Sequence, residues 1–249
     1  TRGVSAEARN SNGEMLMKPL LLMDAQTCLP DKACIFKEGN SEPANIDKDA
    51  NPEQGFARPP KLIAVTQSVQ TTYRDAATRK RQDALDHAWT HLMNACGCLA
   101  YPVPNHPMLA VEILQSLPVE GVLLTNGNNL VAYGGDAPER DRTEAALVTH
   151  AINLKLPIFA VGRGMQLIQR IYGVRLQKIS PIKSSCMDIQ INNSRQQVCC
   201  NFHIAARETT PDLSVWARSD DGVILGVEDT ARRIKAIMWL PERITPFRD

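Results

Sequence analysis

Nucleophilic chemistry needs one side chain lifted clear of the backbone, with N–H donors aimed at the charge it creates. An apolar run over residues 156–161 stops at the turn Gly162-Arg163-Gly164, and apolar-periodic residues resume over 165–172. That pattern predicts a strand turning sharply into a helix, the frame of a nucleophile elbow. The position such a turn lifts is Gly162, which has no side chain, so no covalent intermediate can form there. Cys199, Cys200, His203 and Ser219 lie downstream as substitutes. A rewired site would need one of them within about 3 Å of a base and close to the donors. Cys199, Cys200 and His203 could also begin a metal site, and His87 and His91 sit one helical turn apart. Neither set shows the paired half-sites of zinc binding, so the expectation is no metal and no cofactor.

The elements that must position this turn alternate. Strands are expected at 62–65, 99–103 and 121–124, and helices at 83–97, 108–117 and 143–154. In the first helix Ala84, Leu85, Ala88, Leu92 and Met93 fall at helical spacing, with Gly97 as a stop. This rhythm predicts an α/β domain of three layers, with helices on both faces of a mostly parallel central sheet. Past Gly173 the chain reads as strands over 188–191, 198–202, 213–218, 222–227 and 234–239, with Asp220-Asp221-Gly222 as a hairpin turn.

The 249 residues are 43% hydrophobic and 22% charged, with a formal net charge of +1. A near-neutral balance lacks the electrostatic footprint of nucleic-acid binding. Lys18 and Pro19 break the apolar residues near the start, which fit neither a transmembrane span nor a signal peptide. Seven cysteines without framework spacing predict reduced thiols in a cytoplasmic protein. Residues 1–58 are rich in Asn, Asp, Glu, Pro and Gly and read as an extended, partly disordered arm ahead of a domain over 59–249. Apolar islets at 15–23 and 34–36 are either decoration packed on that domain or a docking peptide for another protein.

Four motifs in order resemble the class I glutamine amidotransferase-like family, closest to its γ-glutamyl hydrolase branch and the γ-glutamyl-CDP-amidate hydrolases. They are Lys80-Arg81-Gln82-Asp83-Ala84-Leu85-Asp86 with Trp89, then Thr125-Asn126-Gly127-Asn128-Asn129-Leu130 with Glu139-Arg140-Asp141. The elbow follows, and finally Met238-Trp239-Leu240-Pro241-Glu242. The resemblance covers residues 61–249 and implies a flavodoxin-like three-layer fold. It also implies that Gly162 stands for the catalytic cysteine and Leu240 for the histidine base, with Glu242 left of the residue that orients the base. Gly127 and Arg163 become the remnant of the oxyanion side. Asp83, Asn126, Asn129 and His203 become the remnant of a ligand pocket, with Asn126 at the first glycine of the family's loop. Arg163 and Glu242 are expected to pair across the site.

Loss of both nucleophile and base predicts a pseudoenzyme. The function expected is a structural, protein-interaction subunit of a bacterial multiprotein assembly, secretion machinery being one setting, reached through the arm. The alternatives are a non-hydrolysing sensor of a γ-glutamyl or nucleotide-linked molecule, and a residual γ-glutamyl amide hydrolase.

Overall fold

The computed structural model of the protein describes residues 60–73, 79–191 and 194–243. The arm expected over residues 1–58 lies outside them.

Three short apolar runs form the centre. β1 (Lys61–Thr66), β5 (Gly121–Leu124) and β6 (Ile158–Val161) are parallel neighbours. Their ten central residues, 63–65, 122–124 and 158–161, are each at most 2% exposed. A strand apolar on both faces needs cover on both, which is the requirement of a parallel strand between helices. β4 (Cys98–Val103) extends the parallel set beyond β1, and β11 (Ile234–Ile237) extends it beyond β6. The order β4-β1-β5-β6-β11 is 2-1-3-4-5 counted along the chain, the flavodoxin-like winding. The intervening helices are α1 (His87–Ala95), α2 (Pro107–Ser116), α3 (Pro138–Asn153) and α4 (Arg163–Ile171). Among the described residues β4 is the outer edge, and it carries Pro102, which has no N–H to offer a further strand.

Past β11 the sheet turns antiparallel. β10 (Ile224–Asp229), β9 (Ser214–Ser219), β7 (Gln177–Ile191) and β8 (Ser194–Ala205) complete nine strands. The α/β architecture with its parallel core is the one expected, and the strand-rich end becomes an antiparallel wing of the same sheet.

Two helices differ from expectation. α1 begins at His87, with the Asp86 carboxylate accepting the Ala88 N–H at 3.0 Å as its cap. Asp83 and Ala84 instead end β3 (Arg79–Ala84), which pairs with β2 (Ser68–Tyr73) as a separate two-stranded sheet. In this hairpin Val69 alone is buried, so no alternation of apolar residues marks it in the sequence. α3 starts at Pro138, ahead of the expected 143. Its first turn is Pro138 with Glu139 and Asp141, residues suited to a helix N-terminus but silent in an apolar pattern.

Gly164 lets α4 seat against β5. A Cβ there would lie 2.6 Å from the Leu124 carbonyl oxygen and 2.7 Å from the Leu124 Cβ. Gly164→Ala is therefore expected to destabilise the fold by about 1–3 kcal/mol, seen as a lower urea midpoint at unchanged slope. An unchanged midpoint would show that α4 tolerates a methyl group at this seat.

Candidate functional site

β6 ends at Val161 and α4 begins at Arg163, so the whole elbow is one residue. Gly162 has φ 54° and ψ −108°, a conformation that glycine enters freely and other residues only under strain. Its N–H donates to the Ile237 carbonyl at 2.8 Å, tying the turn to the end of β11. Residues 238–242 leave from that same strand end. Adjacent parallel strands thus carry both halves of the expected machinery to the carboxyl edge of the sheet, where doubly wound folds place their sites.

α4 has no side-chain cap of its own. Its first N–H groups need acceptors from elsewhere, and the loop after β5 supplies one. Asn126 Oδ1 lies 3.4 Å from the Arg163 backbone nitrogen. A Cβ on Gly162 would come within 2.8 Å of that oxygen and 2.9 Å of the Asn126 Cγ. The Asn126 carboxamide therefore stands where a side chain at 162 would have to pass.

Arg140 of α3 holds this loop from behind. Its guanidinium donates to the Thr125 carbonyl at 2.9 Å, the Asn126 carbonyl at 3.0 Å, Asn128 Oδ1 at 3.2 Å and Glu144 Oε1 at 2.9 Å. Asn128 also accepts the Val69 N–H and donates to the Val69 carbonyl, each at 2.8 Å, so it fastens the loop to β2. Gly127, at φ 133°, leaves room for Arg140, whose Nη1 would be 2.6 Å from a Cβ there. Glu144 accepts from Arg163 as well, and Arg163 reaches Asp141 with its other terminal nitrogen. Arg140 and Glu144 are fully buried and Arg163 is 2% exposed. Burial alone would raise the Glu144 carboxyl, but Arg163 and Arg140 together hold it below the usual carboxylate range. Arg163 is thus committed to α3 and does not pair with Glu242 as expected. Motif order assigns Arg140 and Glu144 no role; their i, i+4 spacing within α3 is the signal that could have found them.

A cavity of about 180 Å³ opens over the elbow, lined by Asn126, Gly127, Asn129, Gly162, Arg163, Gln166, Asn201, Phe202 and His203. That volume takes a group of a few atoms, where small-molecule sites usually exceed about 300 Å³. Among the described residues the lining contains no Cys, Ser, Thr, Asp or Glu, and His203 is the one candidate proton carrier. Gln166 donates to the Ile204 carbonyl at 3.0 Å, which sets β8 and His203 against α4. Asp83 does not line the cavity; its carboxylate accepts the Asn105 backbone N–H at 2.9 Å and the Asn105 amide at 2.8 Å. Cys199, Cys200 and Ser219 do not line it either, and the Ser219 hydroxyl is engaged by Asp221 at 2.5 Å and by the Val223 N–H at 3.0 Å. Among the described residues no group of three or more His, Cys, Asp or Glu side chains is placed to hold a metal ion.

Leu240 and Glu242 are buried just beyond β11. The Leu240 N–H donates to the Cys199 carbonyl at 3.0 Å. Among the described residues Glu242 Oε2 has no hydrogen-bond partner, and the nearest cation, Arg243, stays 3.9 Å from Oε1 while it also binds Asp86. Burial pushes the Glu242 carboxyl up to about 7 from its ordinary 4.5. Between those values the folded state binds more protons than the unfolded chain, so this group's contribution to stability declines as pH rises through the window. Glu242→Gln is expected to match the parent near pH 4.5 and to exceed it by about 1–3 kcal/mol at pH 8, compared by urea midpoints. A difference that does not change with pH would show that water reaches the carboxylate.

Among known proteins, the GMP synthase [glutamine-hydrolyzing] of Dictyostelium discoideum is 24% identical, over 54% of this chain and 20% of that protein. The glutamine amidotransferase-like protein YvdE of Lactococcus lactis is 25% identical, over 50% of this chain and 66% of its own. The chain thus spans one fifth and about two thirds of the length of these two relatives. A solved structure from Thermoplasma acidophilum, assigned to GMP synthase, superposes with a TM-score of 0.56 at 17% identity, covering 73% of this chain and 84% of that one. That likeness shows a shared fold. Residues 61–185, which run from β1 into β7 and include the elbow, match the Peptidase C26 family, and the chain belongs to that family, on a class I glutamine amidotransferase-like fold.

Proposed function

We propose that the protein is a catalytically inactive member of its family, acting as an interaction subunit of a multiprotein assembly. The observation that carries this reading is the cavity over the elbow, which offers no nucleophilic side chain among the described residues. Gly162 holds the apex, and Leu240 stands where the resemblance puts the base. Loss of a nucleophile alone costs roughly 10⁶-fold in turnover, because the reactive groups act as a unit. Glu242, buried without a partner for Oε2, fits a carboxylate whose histidine has gone. The relative named as glutamine-hydrolyzing suggests that the lost reaction was attack on a side-chain amide. Purified protein given γ-glutamyl amides is expected to release no ammonia above buffer. Gly162→Cys, Leu240→His and Asn126→Gly combined should give measurable release. Turnover by the unmodified chain would overturn the inactive reading.

The interaction half of the proposal falls to residues 1–58, whose apolar islets sit in a polar, acidic and proline-containing stretch. Exposed apolar side chains on β4 and α2 add support: Leu99 is 49%, Met108 78% and Leu109 48% exposed. In a pull-down from the native, expected bacterial, cell, a defined set of proteins should co-purify in stoichiometric amounts, and deletion of residues 1–58 should lose some of them. A chain that comes down alone and monomeric would favour the second reading, a non-hydrolysing small-molecule sensor, which the polar lining of the cavity supports. Among the described residues no helix is long and apolar enough to cross a membrane.

A further inference from the structure

We infer that Asn126 is a built-in stopper for this site, coupled to Gly162, and that a reactive side chain at position 162 must displace the Asn126 carboxamide unless residue 126 is cut back. The inference deepens the reading of an inactive site, and rests on it in taking Gly162 as the nucleophile position. Three observations carry it. The Asn126 carboxamide fills the approach to 162, with Oδ1, Cγ and Cβ at 2.8, 2.9 and 3.4 Å from a Cβ built there. The same Oδ1 faces the Arg163 N–H, the donor that would otherwise receive an oxyanion above the elbow. The loop backbone is held in place, so room has to come from rotation of the Asn126 side chain: the fully buried Arg140 grips the carbonyls of both Thr125 and Asn126, and Asn128 is fastened to Val69 on both sides of its amide.

The stopper therefore closes two things at once, the space for a nucleophile and the cradle for the charge it would generate. A side chain at 162 has to swing the carboxamide aside and take from α4 an acceptor that the helix does not provide for itself. An introduced thiol with Asn126 in place would sit against a carbonyl oxygen. With residue 126 reduced to glycine, the thiol would face open N–H groups at a helix start, where thiolates are stabilised.

The test is a cycle of four proteins: the parent, Gly162→Cys, Asn126→Gly, and the two combined. Mass spectrometry of the peptide containing residue 162 follows iodoacetamide labelling at pH 7. The introduced thiol is expected to react at least about tenfold faster in the combined variant than in Gly162→Cys alone. The thermal midpoint lost on introducing the thiol should be smaller by about 2 °C or more when residue 126 is already glycine. Equal labelling rates with additive midpoint losses would overturn the inference. If neither thiol variant folds, Gly162→Ala in the same two backgrounds decides by midpoint alone, additivity again overturning it. Ammonia release by the unmodified protein would remove the inactive reading and leave this coupling intact, so the two can fail separately.

Discussion

Glu144 sits out of reach of water between two arginines, and the geometry of the site depends on that arrangement. Removing Arg140, Arg163 and Glu144 from solvent, with Asp141 partly covered, is costly, and their mutual attraction returns the cost only when the geometry satisfies nearly every donor. Here Arg140 and Arg163 face Glu144 and Asp141, so the cluster is neutral as a whole. Arg140 then has donors left for the carbonyls of Thr125 and Asn126. One helix thereby fixes both the loop after β5 and the first residue of α4. Those two segments are thus held in register although Gly162 carries no side chain. Taking away either partner of such a pair would leave the other charge buried and alone, so the scaffold is held by a constraint separate from catalysis.

The parallel half of the fold was legible because its strands are buried on both faces and read as unbroken apolar runs, as in residues 122–124 and 158–161. The β2–β3 hairpin was not, since Lys80, Gln82 and Asp83 are exposed and only Val69 turns inward. Helical spacing from Ala84 to Met93 was a real pattern, but Asp86 caps the helix at His87 and overrules its first turn. At the site, the glycine elbow and the members of the surrounding loop were readable from motif order. The partner of Arg163 was not. A guanidinium can reach several carboxylates, and only the packing of α3 against α4 selects Glu144 and Asp141 over Glu242. Asp83 shows the same gap, since a residue in the right motif turned out to brace Asn105.

The elbow also illustrates how a strained position can relax. A side chain at φ 54° and ψ −108° is tolerated where reactivity requires it and costs about 1–3 kcal/mol. Glycine carries no such cost. The turn holds its shape because the Gly162 N–H bond to Ile237 and the close seat of Gly164 on β5 need no side chain at either glycine.

Pro102 bears on how this molecule meets others. An outer strand with exposed apolar neighbours is ordinarily a template for pairing with a strand of another chain, copies of the same chain included. A proline within β4 interrupts the row of donors that such pairing would use. Growth of the sheet past β4 is thereby discouraged even though Leu99 on that strand is exposed. Apolar surface can be kept on display there without the chain becoming its own ligand.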